Sequence, residues 1–127
     1  MRTPSRHGGC CDRSADLAAV GLTATVEGQT LRLARLAEQT GCHGVVASPR
    51  DAAPLRADLG PDMLIVTPGV TVDTDQTTPA RTEHARPAHA VSAVRNGATH
   101  VIIGRPVTQA PDPAATLARL HNQLANR

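Results

Sequence analysis

At 127 residues the chain is long enough for one domain with a small core, and too short for a complete eight-fold α/β barrel, which needs about 200 residues or more. Its formal net charge is +2, its thirteen basic side chains are all Arg and lie scattered, and Lys, Phe, Tyr and Trp are absent. This combination argues against a nucleic-acid stripe, a polybasic membrane patch and aromatic platforms for stacking bases.

The joint loss of Lys and aromatics, beside abundant Ala, Arg, Gly and Pro, reads as a biased coding composition. No apolar run approaches the length of a membrane span, and Met1 to Gly9 carries charge without a hydrophobic region, so a cytoplasmic location is expected. Three cysteines, two of them adjacent at Cys10 and Cys11, do not form the framework of a secreted disulfide-rich domain.

Residues 1–13 are polar and without period, which predicts a frayed terminus ahead of one unit over 14–127. Ser14 is placed to cap a short helix over Ala15 to Val20, stopped by Gly21. Thr25 precedes a longer helix in which Val26, Thr30, Leu33, Leu36 and Ala37 recur at helical spacing, and Gly41 closes it.

Gly44 to Ser48 (GVVAS) predicts a short strand, and Ser48-Pro49 has the cap-then-proline order of a helix start. That helix runs to about Asp58, with a late start or a kink expected at Pro54. Met63 to Thr67 (MLIVT) predicts a second strand, stopped by Pro68-Gly69, and 70–87 reads as a long polar loop. Ala88 to Asn96 predicts a helix ended by Gly97, residues 100–104 a third strand, and Asp112-Pro113 the cap of a last helix through Leu117, Leu120 and Leu124.

Apolar strands alternating with helices are the pattern of a parallel sheet with crossover helices, so the fold class expected is α/β. In such folds chemistry gathers at the carboxyl ends of the strands. Gly104-Arg105 ends the last strand, where a glycine lets an anion approach the backbone amide and a guanidinium offers a charge-assisted fork. A plain turn with a solvated Arg fits the same two residues. Thr67-Pro68-Gly69 ends the preceding strand and by itself is turn chemistry.

Other constellations carry less. Cys10, Cys11, Cys42 and His43 match no zinc spacing and read as reduced thiols, so no metal site is expected. His84, His89, Asp73 and Asp75 share the polar loop region as solvated side chains, and His100 reads as packing or surface.

The blocks GCHGVVASP, LIVTPGV, DQ and VIIGRPVTQAPDPAATL, in this order and nearly this spacing, resemble the C-terminal part of bacterial orotidine 5'-phosphate decarboxylases, from about Asp16 to Leu120. The resemblance implies a partial (β/α)8 TIM barrel of about three parallel strands. It implies that Gly104 and Arg105, assisted by Gln76, bind the 5'-phosphate of orotidine or uridine monophosphate, and that Pro68 lines the base pocket. The family reaction, orotidine monophosphate to uridine monophosphate and CO2 in pyrimidine synthesis, uses neither a metal nor an organic cofactor.

Several departures qualify that carry-over. The family continues Pro-Gly with Ile-Arg, whose Arg also reaches the phosphate; here Val70-Thr71 follow Gly69. The family's Thr-Ser against the base falls at Cys10-Cys11. Its catalytic network has the form Asp-x-Lys-x-x-Asp, and these 127 residues hold neither that motif nor any Lys.

No catalytic residue is therefore assigned, and the chain is expected to be inactive alone. The resemblance makes it the C-terminal, phosphate-binding part of an orotidine 5'-phosphate decarboxylase-like protein; the alternative is a component of a split enzyme, or a non-catalytic remnant or phosphate-binding module. A strand face lined by Val46, Ile65 and Ile102 or their neighbours is expected to lack a partner, which predicts self-association or pairing with a complementary N-terminal half.

Overall fold

A computed structural model describes residues 14–72 and 88–126. A short helix α1 (Ser14–Ala19) ends at Gly21, whose φ of 82° places it in the left-handed region. The longer α2 (Val26–Gln39) starts where Thr25 Oγ1 accepts the Gly28 amide at 3.1 Å, and ends at Gly41 with φ 83°. Both termini therefore stand where Thr25 and Gly41 predict them.

The first strand, β1 (Gly44–Val46), leads through a 3-10 turn (Pro49–Asp51) into α3 (Ala52–Asp58). Ser48 makes no side-chain cap bond, contrary to the expectation from Ser48-Pro49. The proline-initiated 3-10 turn delays the α-helix instead. Pro54 then falls in the first turn of α3, where its missing amide has no intrahelical partner to lose.

Next come β2 (Leu64–Thr67), β3 (Val70–Thr71), β4 (Ala88–His89), α4 (Ala90–Arg95) and β5 (His100–Val101). A one-turn helix α5 (Arg105–Thr108) precedes α6 (Pro113–Ala125), which opens with Asp112 Oδ1 accepting the Ala115 amide at 2.9 Å. No described helix is long and apolar enough to cross a membrane.

Strands β1, β2 and β5 form a parallel sheet in the order β1-β2-β5, with Val45 opposite Ile65 and Thr67 opposite Val101. This is the parallel three-stranded α/β arrangement expected. A second, unpredicted pairing joins β3 to β4 in parallel, Val70 to Ala88 and Thr71 to His89. Residues 70–72, read as the start of a long polar loop, are instead strand and core, with Val70 and Val72 buried; 73–87 lie outside the described residues.

Alternate residues of the sheet divide sharply. Ile65, with Val45, Ala47, Val101 and Ile103, packs with Leu55, Ala90, Ala93 and Leu120 of the helices. On the opposite face Val46 is 70% exposed, Ile102 52% and Leu64 41%. The expected bare face exists; of Ile65 and its neighbours, Ile65 is fully buried and turned to the helices, and Leu64 stands on the bare face. Register explains this, since Val46 pairs with Val66, one residue out of phase with Ile65. On α2 the buried position is Ala34, whereas Leu33 and Leu36 are exposed, so the predicted stripe is rotated.

Two contacts hold the helical layer in place. Arg56 donates to the carbonyls of Gly97, Gly60, Pro61 and Met63, tying α3 to the turn after α4 and to the approach to β2. Gly97 is required there twice over: its φ is 103°, and a Cβ would lie 2.6 Å from that of Arg56. Arg35 of α2 also grips Asp58 of α3, Nε to Oδ2 at 2.6 Å, with a second guanidinium bond to Oδ1.

Gly44 sets the spacing of β1 and β2, because a Cβ there would lie 2.6 Å from both the Cβ and the carbonyl oxygen of Leu64. Gly44→Ala must push the strands apart and is expected to cost about 1–3 kcal/mol of stability, read as a lowered urea midpoint.

The Arg35 hydrogen bond, with a smaller contribution from its charge and against desolvation, lowers the Asp58 carboxyl below its usual range. A folded value below the unfolded one stabilises above the ordinary carboxylate range, and that contribution is lost as pH falls through the folded value. Asp58→Asn is therefore expected to lower stability at neutral pH, with the gap from wild type closing in acid and narrowing in high salt. Urea melts across pH check this; a gap independent of pH would contradict it.

Candidate functional site

All three strands of the main sheet run parallel, so their carboxyl ends meet at one rim. The ladder continues past the formal ends: the Ala47 amide donates to Val66 O at 3.0 Å, and the Ile102 amide to Thr67 O at 2.9 Å. These bonds hold the chain just ahead of Pro68-Gly69 beside the chain that continues into Ile103-Gly104. Two side chains stitch the same pair of strands. Thr99 Oγ1 accepts the Ile65 amide and donates to Ile65 O, both at 2.9 Å, while buried Thr67 donates to His100 O at 3.4 Å. Nothing in the sequence pattern singled out Thr99, and Thr67 was read only as part of the Thr-Pro-Gly turn, since hydroxyls that replace ladder bonds are visible only once the register is known.

The rim brings together three of the four residues read as site residues. Pro68 is half-buried, and Gly104 and Arg105 are exposed. Gln76 lies outside the described residues, as do Cys10, Cys11, Asp73, Asp75 and His84. Gly69 turns the chain away from β2 with φ 71°, a conformation that favours glycine and accounts for the Pro-Gly pair. Val70 then enters the core, and Thr71 is half-buried beside His89 in the β3–β4 pair. Two uncharged side chains thus occupy the positions after Gly69.

Gly104 closes the β5 segment and starts α5. Its carbonyl accepts the amides of Val107 and Thr108 at 2.9 and 3.0 Å, so the turn is hydrogen-bonded from within. A Cβ built at Gly104 meets nothing within 4 Å, which leaves open space over this part of the backbone. Arg105 is the first residue of the helical turn, and its carbonyl accepts the Gln109 amide at 3.0 Å. The arrangement joins an open glycine backbone to a guanidinium at one strand end, which suits a compact anion.

The remaining candidates lie elsewhere. Cys42 is an exposed free thiol; with Glu38, His43, Gly60, Asp62 and Met63 it lines a hollow of about 260 Å³ at the opposite, amino-terminal edge of the sheet. Among the described residues no group of three His, Cys, Asp or Glu side chains is placed to hold a metal ion. His100 is exposed on the bare face of the sheet, with Nδ1 3.1 Å from Thr99 Oγ1. His89 serves locally, its Nδ1 accepting the Val91 amide at 3.4 Å as the cap of α4.

The family model described as Orotidine 5'-phosphate decarboxylase / HUMPS family matches residues 12–120. The chain is 45% identical over 112 residues to the orotidine 5'-phosphate decarboxylase of Neisseria meningitidis serogroup A, covering 88% of this chain and 44% of the relative. It is 47% identical over 110 residues to that of Chromohalobacter salexigens, covering 87% and 45%. Among solved structures, the orotidine 5'-phosphate decarboxylase of Lactobacillus acidophilus aligns with TM-score 0.69 and 27% identity, over 91% of this chain and 46% of that one. Such neighbours are TIM barrels, so the one-sided sheet is part of a barrel wall. The chain spans less than half the length of these relatives. With the family model matching residues 12–120, the chain belongs to the orotidine 5'-phosphate decarboxylase / HUMPS family.

Proposed function

We propose that this chain provides the phosphate-binding rim of an orotidine 5'-phosphate decarboxylase site, and that the catalytic ammonium comes from a part of the barrel outside these 127 residues. The observation that supports this most directly is the juxtaposition of Pro68-Gly69 with Ile103-Gly104-Arg105 at the carboxyl rim, held by the Ile102 to Thr67 bond. In this reading the Gly104 amide and the Arg105 guanidinium bind the 5'-phosphate, and Pro68 borders the pyrimidine. Gln76 of the DQ pair is assigned to the same phosphate.

The chemistry defines what must come from elsewhere. Decarboxylation breaks the bond between the ring carbon and its carboxylate, leaves the electron pair on that carbon and releases CO2. A positioned ammonium stabilises the developing charge and delivers the proton that completes uridine monophosphate. Arginine is a poor substitute, because its guanidinium keeps its proton near neutral pH. With thirteen Arg and no Lys, these 127 residues can grip a phosphate and cannot supply that proton.

The test separates grip from turnover. Titration calorimetry of the purified chain is expected to show uridine monophosphate binding roughly 10–100-fold more tightly than uridine, the scale of a few charge-assisted hydrogen bonds. Arg105→Ala is expected to abolish most of that difference, with the thermal midpoint measured alongside to confirm that the variant is folded. Equal affinity for nucleotide and nucleoside would refute the phosphate assignment. Release of CO2 from orotidine monophosphate by the purified chain would refute the argument from lysine.

A further inference from the structure

Thr67 is a polar side chain that the packing of the sheet does not require. It ends β2 with no exposed surface, two residues on from Ile65 and so on the same, helix-covered side of the strand. A valine would fill nearly the same volume there without a hydroxyl to desolvate. Thr67 Oγ1 donates to His100 O at 3.4 Å, and the Thr67 carbonyl accepts the Ile102 amide at 2.9 Å. One residue thus brackets β5 on both sides of Val101, its ladder partner.

The neighbouring hydroxyl has a different task. Thr99 Oγ1 accepts the Ile65 amide and donates to Ile65 O, so it takes the place of a ladder partner, and its loss would strip a backbone donor. The Thr67 hydroxyl adds its bond beside a backbone pairing that does not depend on it. At 3.4 Å that bond contributes little to stability. What it constrains is where β5 lies along β2, and the constraint acts next to the rim: Pro68 follows Thr67 directly, and Gly104 comes two residues after Ile102.

We infer that Thr67 is a positioning residue of the rim, whose buried hydroxyl sets the span between Pro68 and Gly104-Arg105 so that one uridine monophosphate reaches both at once. This rests on the phosphate-rim reading above. Base and phosphate are fixed ends of one ligand, so a small shift of β5 along β2 leaves each contact available singly and penalises the molecule that needs both. A ligand that touches only the Gly104-Arg105 turn, which is hydrogen-bonded from within, does not sense the span.

Two variants at this position separate placement from stability. Thr67→Val removes the hydroxyl and keeps the volume. It is expected to leave the thermal midpoint nearly unchanged and to weaken uridine monophosphate roughly three- to tenfold, the scale of one neutral hydrogen bond, with uridine and inorganic phosphate each bound as before. Thr67→Ser keeps the hydroxyl and deletes a buried methyl. It is expected to lower the thermal midpoint while holding uridine monophosphate close to the wild-type affinity. Calorimetry reads the nucleotide and nucleoside, an NMR titration the inorganic phosphate, and thermal melts the stability.

Affinity that follows the thermal midpoint through both variants, or a Thr67→Val chain that does not fold, makes the hydroxyl structural and overturns the inference. Unchanged uridine monophosphate binding in Thr67→Val overturns it as well. Equal weakening of uridine monophosphate and inorganic phosphate in that variant also overturns it, because the fault then lies in the turn and not in the span. Failure of the phosphate-rim reading shows separately, in the unmodified chain, as equal affinity for uridine monophosphate and uridine, and takes the inference with it.

Discussion

A parallel sheet with one face bare is the constraint on which the rest of this molecule depends. Parallel strands joined by crossover helices usually form open sheets covered on both faces, or barrels whose inner faces fill one another. Here the helices take the side of Ile65, Val45 and Val101, while Val46, Leu64 and Ile102 face away from them. At roughly 25 cal/mol per Å² of apolar surface, leaving such side chains in water forgoes a stabilisation that a closed barrel collects. The folded layer is therefore held largely by one face, which is why individual ties such as Arg56 to four carbonyls carry weight.

The same parallelism puts the chemistry at one rim. Had β2 and β5 run in opposite directions, Pro68 and Gly104 would lie at opposite edges of the sheet. Their proximity needs no side-chain recognition between them; it follows from strand direction and from a ladder that runs on to Ile102. The hydroxyls of Thr99 and Thr67 then fix the register. A one-residue slip would turn Ile65 outward and offset the two strand ends together.

Much of this was legible in the sequence, and the gaps have physical causes. Thr25, Gly41, Gly97 and Asp112 mark helix ends because caps and left-handed turns are local, and each stands where it was read. The three main strands and the glycine-arginine strand end were equally local. Ser48 failed because Pro49 opens a 3-10 turn in which the expected side-chain bond is not made. The β3–β4 pair was missed because two-residue strands separated in sequence leave no periodic signal. The choice between Ile65 and its neighbours for the bare face stayed open because every residue from Leu64 to Val66 is apolar, and alternation, the usual guide, is silent in such a run.

The division of chemical labour follows from what each group can do. A phosphate is held by a fixed positive charge and by amides, and neither needs to exchange a proton; an arginine-only chain meets that requirement fully. A carbanion needs a proton donor of moderate acidity at the ring, which a guanidinium is not. The positions after Gly69 sharpen the point, because Val70 is committed to the core and Thr71 to pairing with His89, so neither brings charge to the rim.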